Sequence, residues 1–447
     1  MPPPPQRLPR TKVDRPKKTT GATPLIAACR AGKKTTAALL LELGADPRAR
    51  AMDGSDSLYV AAQGDFVEIL ELLVGKGADV HAAKNTGATA LFIAAQKGRA
   101  AAVSHLLKLG ARPDVATKDG ASAVVVAAQN GHLGVVKELV TNGADVCKPW
   151  KHGVTALFLA AQEGHADMVR CLVKDLGHAV SPAEARNGFT PLFAAAQRGH
   201  VGVLRVLVEE CGAAVDQGSI PGFTPQMVAA QSGQAGAVEW LLTHGADPLK
   251  ATPLGATSLF LAAAAGHVKV VEVIVFAGCK AAPKIPGARA PMPAAAAAAA
   301  AGGGSGLGGA LTRGEARSLT LPLIDRPRKD GTSPAHAACS GGHYDVLDVL
   351  GQKGADLAAC DDAGLHPWHA AAASPFPRHT HAALEAHGVR EPGLTAAFLR
   401  CCGCTEPITL ETRSVPRRSH AETVEGTGQG KEAAHEAAAA AAAMQRS

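Results

Sequence analysis

The chain has 447 residues, 47% of them apolar but only 3% aromatic, so any core must be built from Ala, Val and Leu. The formal net charge is +6, and residues 1–20 hold most of it, with Arg7, Arg10, Lys12, Arg15, Lys17 and Lys18 against Asp14 alone; the nearly neutral remainder sets aside a basic nucleic-acid groove. The ten cysteines show no disulfide framework, which points to a reducing compartment. No apolar run follows the basic start, so no secretory leader is expected. The longest apolar stretches, Val268–Gly278 and Ala294–Ala301, are too short to span a bilayer.

In chain order, residues 1–20 read as a proline-rich basic arm without the means to build a core, and disorder is expected there. A solvated tail is the plain reading of its charges, and a nuclear-import or acidic-partner patch is the functional one. From Gly21 a single phrase then restates itself. Its clearest copy is GVTALFLAAQEGH at Gly153, with others at Gly87, Gly120, Gly188, Gly222 and Gly255 and looser ones at Gly21, Gly54, Gly331 and Gly364. Successive glycines from Gly21 to Gly255 are 33, 33, 33, 33, 35, 34 and 33 residues apart. A fixed period of that length marks a solenoid, whose units bury their apolar faces only against neighbours.

The unit from Gly120 to Gly153 shows the pattern. Ser122 is placed to cap a helix over Val124–Gln129, because its hydroxyl can accept from free backbone N–H groups. Gly131 stops that helix, since glycine takes the left-handed conformation without steric cost. A second helix over Leu133–Thr141 has Leu133, Val135, Val136, Leu139 and Val140 on one face. Gly143-Ala144-Asp145 closes it and begins an extended finger that returns at Gly153.

Thr190-Pro191-Leu192, Ala160-Ala161, Gly131-His132 and the Gly-Ala-Asp triplets at Gly77, Gly143, Gly245 and Gly354 make the chain resemble an ankyrin repeat protein. The resemblance runs from Thr20 to Gly278 and resumes, less closely, over Lys329–Gly388. It implies an all-α repeat solenoid of helix–turn–helix units with β-hairpin or turn fingers. Where the family usually has histidine after Thr-Pro-Leu, this chain has Ile26, Tyr59, Phe92, Val125, Phe158, Phe193, Met227 and Phe260, with histidine only at His336 and His369. An apolar ladder is expected to replace the polar tie. In the second unit Gly64-Asp65 disturbs the pattern, and a shifted helix end is expected there.

The expected organisation is the arm at 1–20, about eight continuous repeats over 21–280, a degenerate repeat with a polyalanine and glycine-rich insertion over 281–327, two further repeats over 328–388, and a capping segment with a disordered tail over 389–447. Gly331 opens 76 residues after Gly255, two periods plus about ten residues, which leaves room for a worn unit near Gly287. Two repeats alone are too few to be stable, so the later pair must dock on the main stack or on the worn unit.

Catalytic chemistry finds no support. No nucleophile is accompanied by a base and an orienting group, and GGGSGLGG lacks the Lys-Ser/Thr ending of a phosphate loop. His132, His165, His200, His267 and His343 recur one per unit, too widely spaced to share a metal, and a turn-capping role is expected. The denser His366, His369, His379, His381 and His387, followed by Cys401, Cys402 and Cys404, have no zinc-ligand spacing. The cysteines are either an inert tail or a site of acylation or redox chemistry. No metal and no cofactor is expected.

What varies between copies looks recognitional. Lys97, Asn130, Glu163 and Arg198 follow a repeated glutamine at the first helix's end, an edge that in the resembled family faces a concave groove. Among fingers, Trp150-Lys151-His152 stands out because tryptophan is enriched at binding hot spots; packing between fingers is the alternative for Trp150. Phe189 and Phe223 are similar candidates, unless buried by the adjacent finger. The expectation is a monomeric scaffold binding a protein partner, in the cytoplasm or, through the basic arm, the nucleus. The alternative is an adaptor or regulatory subunit targeted by its two ends.

Overall fold

A computed structural model describes residues 13–180, 187–281, 323–372 and 374–389. Within them, twenty helices form ten pairs. The first five pairs are α1 (Pro24–Arg30) and α2 (Lys34–Glu42), α3 (Ser57–Gln63) and α4 (Val67–Gly75), α5 (Ala90–Gln96) and α6 (Ala100–Lys108), α7 (Ala123–Gln129) and α8 (Leu133–Thr141), and α9 (Ala156–Gln162) and α10 (Ala166–Arg170). The other five are α11 (Pro191–Arg198) and α12 (Val201–Arg205), α13 (Pro225–Gln231) and α14 (Ala235–Thr243), α15 (Ser258–Ala264) and α16 (Val268–Ala281), α17 (Pro334–Gly341) and α18 (Tyr344–Gln352), and α19 (Pro367–Ala372) and α20 (Pro377–Ala386). The odd-numbered inner helices pack on one another in sequence, and so do the outer helices, as an uninterrupted solenoid requires.

Each inner helix starts for the reason Ser122 suggested. The side chains of Thr23, Asp56, Thr89, Ser122, Thr155, Thr190, Thr224, Thr257 and Ser333 accept from the backbone N–H three residues on. In the tenth repeat Nδ1 of buried His366 takes this part, accepting from the Trp368 N–H at 3.0 Å. Buried alanine pairs such as Ala160-Ala161 and Ala195-Ala196 have no exposed surface; their small side chains let neighbouring inner helices approach closely. Larger buried residues, such as Leu157 and Leu172, fill the space between helix layers.

The second repeat corrects an expectation. Helix α3 ends at Gln63 like its counterparts, with no shift. Asp65 itself takes the left-handed conformation that glycine has elsewhere, at φ 63°, and its carboxylate accepts from the Ala102 N–H at 2.8 Å, capping α6 of the next repeat. The longer periods after Gly153 and Gly188 also have a local cause. Helices α10 and α12 continue into single wide turns, Cys171–Asp175 and Val206–Glu210, each of which absorbs an extra residue.

Fingers are turns closed by one backbone bond, for example Thr117 N–H to the Ala121 carbonyl at 2.9 Å and Thr252 N–H to the Ala256 carbonyl at 2.9 Å. Strand pairing among the described residues is limited to two isolated antiparallel bridges, Ala83 with Thr89 and Ala251 with Thr257. Val13–Thr20, assigned to the arm from sequence, forms the first finger: Val13 is buried and the Asp14 carboxylate accepts from the Asp46 N–H at 3.1 Å.

The later repeats are not displaced. Helix α17 packs directly on α15, so the Gly331 repeat occupies the place a worn unit would need. The Lys329 N–H donates to the Leu254 carbonyl at 3.0 Å. Asp325 accepts from the Asp356 N–H at 2.8 Å, as Asp114 does from Asp145 and Asp216 from Asp247. Residues 323–330 thus rebuild a finger in register with the eighth repeat. Residues 282–322, which include the expected degenerate repeat's Gly287, lie outside the described residues, as do 390–447.

Candidate interaction face

Lys97, Asn130, Glu163 and Arg198 occupy one position at the C-terminal ends of α5, α7, α9 and α11, and all four are exposed. Because these helices stack in order, the four form a row along the array. The Asn130 amide turns back to donate to the Val126 carbonyl at 2.7 Å. The charged three make no ion pair among the described residues. On the outer side some charges bridge neighbouring repeats, at Lys34–Glu68 (2.7 Å), Lys137–Asp175 (3.1 Å), Arg170–Glu210 (2.8 Å) and Lys174–Glu210 (2.9 Å), while others, such as Lys108, Glu138 and Glu239, likewise make no ion pair among the described residues. The Arg170 guanidinium, with Lys174, pulls the Glu210 carboxyl down to about 2.

The glutamine before this row has a backbone role invisible in sequence. His165 Nε2 donates to the Gln129 carbonyl, His200 to Gln162 and His267 to Gln231, each at 2.9 Å, and His132 to Gln96 at 3.2 Å. The histidine expected to cap its own turn instead ties its repeat to the one before, satisfying a carbonyl freed at the helix end. In the third repeat, where histidine is absent, Arg99 Nε donates to the Gln63 carbonyl at 3.2 Å.

At the fingertips, a backbone N–H commonly donates to the preceding tip: Asn85 to the Asp53 carbonyl at 3.2 Å, Lys118 to Thr86 at 2.9 Å, and Ile220 to Asn187 at 3.0 Å. In the fifth finger the Trp150 indole replaces this bond, donating from Nε1 to the Asp119 carbonyl at 2.9 Å. The half-buried ring packs beside Ala88, Phe92, Ala121 and Val126. Trp150 therefore takes the finger-packing alternative. Lys151 reaches Asp119 at 3.8 Å, and exposed His152 sits at φ 59°. Trp150→Phe keeps the ring but strands the carbonyl, and chemical denaturation is expected to show a loss of about 1 kcal/mol.

Phe189 is likewise core rather than surface: it is buried and stacks on Phe193 with centroids 4.4 Å apart. Phe223 is half-buried against Met227, Ala256, Phe260, Leu261 and Ala337. Sequence reasoning missed Ile220 and Leu254, the exposed apolar tips of the seventh and eighth fingers. The signal was present: Leu254 stands where other fingers have Asp53, Asp119 and Asp330, and Ile220 where they have Asn85 and Lys118.

Among the described residues no group of three or more His, Cys, Asp or Glu side chains could hold a metal, and no helix is long and apolar enough to cross a membrane. His381 stacks on Trp368 at 4.2 Å and donates to its carbonyl at 3.1 Å. Cys401, Cys402 and Cys404 lie outside the described residues. Compared with known proteins, the chain matches the family model described as ankyrin repeats (3 copies) over residues 8–84, 58–150, 148–219 and 211–284. The single ankyrin repeat model matches residues 330–362. No curated protein matches the chain.

Proposed function

Because the chain belongs to the ankyrin repeat family, whose arrays are generally protein–protein interaction modules, we propose that it is a scaffold holding a partner protein along the edge marked by Lys97, Asn130, Glu163 and Arg198. One observation carries this reading. Lys97, Glu163 and Arg198 stand at one register position on inner helices of the same stack, exposed and without an ion pair among the described residues. Unbonded charges of alternating sign in register on a rigid stack provide electrostatic selectivity and little ordering cost on binding. Lys151, which reaches Asp119, and exposed His152 extend the candidate surface to the fifth fingertip, while Trp150 positions that tip.

The test is affinity capture with the full chain and a variant carrying Lys97→Ala, Glu163→Ala and Arg198→Ala together. All three positions are exposed, so the variant is expected to keep its thermal midpoint, since such substitutions usually act within about 0.5 kcal/mol. Partners captured by the wild type should be depleted severalfold. Undiminished recovery would place the binding surface elsewhere.

A further inference from the structure

We propose that Arg328 receives a carboxylate from the partner, so that the segment bound across repeats seven to nine carries an aspartate or glutamate beside aliphatic side chains. The inference deepens the scaffold reading and rests on it. It comes from comparing two equivalent places in the stack.

In the third finger Lys84, three residues before its turn glycine, lies over the Tyr59 ring of the preceding repeat, with Nζ 5.3 Å from the centroid. The preceding fingertip completes this arrangement with a carboxylate, Asp53, 2.8 Å from Nζ. In the ninth finger Arg328 has the same position relative to Gly331 and lies 5.4 Å from the Phe260 ring centroid of the preceding repeat. The residue standing where Asp53 stood is now Leu254. The ring and the cation are kept, while the preceding tip no longer offers a carboxylate.

Arg328 is left poorly satisfied. Its side chain is only 12% exposed, and Asp330 of its own finger stands 3.9 Å from Nε. Among the described residues Nε is buried without a hydrogen bond, a costly arrangement for a charged donor. A guanidinium over a ring with an unbonded donor favours a carboxylate partner. The surroundings add an apolar requirement. Ile220 is 72% exposed and Leu254 44%, with Pro221 and Pro253 exposed between them. The fingers touch, since a Cβ on Gly222 would lie 2.8 Å from Pro253. Exposed Lys329 adds positive charge. In the eighth repeat Ala264 and Ala265 replace the glutamine and variable residue of earlier repeats, so small apolar side chains take the place of polar ones.

Random twelve-residue peptides displayed on phage and selected on the full chain test this. The expected peptides carry an internal Asp or Glu next to Leu, Ile, Val or Met. Arg328→Gln should weaken a selected peptide about tenfold by fluorescence anisotropy. Leu254→Asp supplies a carboxylate at that tip from within the chain; it should block the peptide at least as strongly while leaving the thermal midpoint no lower than wild type, an outcome misfolding does not produce. Selected peptides without an acid, or with affinity unchanged by both substitutions, overturn the carboxylate site alone. Peptides read through a phosphate or their terminal carboxylate, instead of an internal acid, also overturn it. Failure to select any peptide overturns this inference and the scaffold reading together.

Discussion

Gly131→Ala is expected to destabilise the array by about 2–3 kcal/mol, whereas Gly143→Ala, equally left-handed, costs about 1 kcal/mol. Both glycines have positive φ, 75° and 90°, so both replacements carry conformational strain. They differ in what the new methyl meets. At Gly143 nothing lies within 4 Å; at Gly131 the Cβ would fall 2.9 Å from Cε1 and Nδ1 of His165. The imidazole must then move, and it is the group that donates to the Gln129 carbonyl at 2.9 Å. One methyl group thus removes an inter-repeat bond as well. Urea denaturation of both variants measures the difference. Equal losses would show that the histidine tie contributes nothing measurable.

A larger effect is expected of Leu157→Ala. Leu157 is fully buried in α9, the inner helix of the fifth repeat, and truncating such a residue costs about 2–5 kcal/mol. In a solenoid the damage is not shared evenly, because each repeat leans only on its neighbours. Hydrogen exchange should rise most in α9 and in its neighbours α7 and α11, with α1 and α19 closest to wild type. Uniform acceleration along the chain would instead indicate that the ten repeats unfold as one unit.

The fold was largely legible because its signals are local. Ser122 and Thr190 announce helix starts through a bond three residues away, and Gly131 announces a stop through its own φ. Local signals also misled in one place. Gly64-Asp65 suggested a shifted helix, yet asparagine and aspartate are the residues that tolerate the left-handed conformation best after glycine, and Asp65 gains the Ala102 N–H in return. The candidate face was legible only as a set of varying positions. Lys97, Glu163 and Arg198 could be picked out because they change where their neighbours repeat. The roles of Trp150 and Phe189 depend on what lies across the gap, the Asp119 carbonyl and the Phe193 ring, and no spacing rule supplies that. Arg328 was hidden for the same reason: its significance lies in Leu254, 74 positions earlier in the chain and one finger away in space.

The insertion between the eighth and ninth repeats also bears on how firmly the array holds together. His343 donates to the Ala264 carbonyl across 79 residues, where His132 reaches Gln96 across 36. The two bonds have the same length of 3.2 Å, so the eighth–ninth joint keeps the histidine tie found at joints of the regular period. A peptide spanning Ile220, Leu254 and Arg328 would straddle this joint and act as a clasp, adding its binding free energy to the cohesion of the last two repeats with the rest of the array.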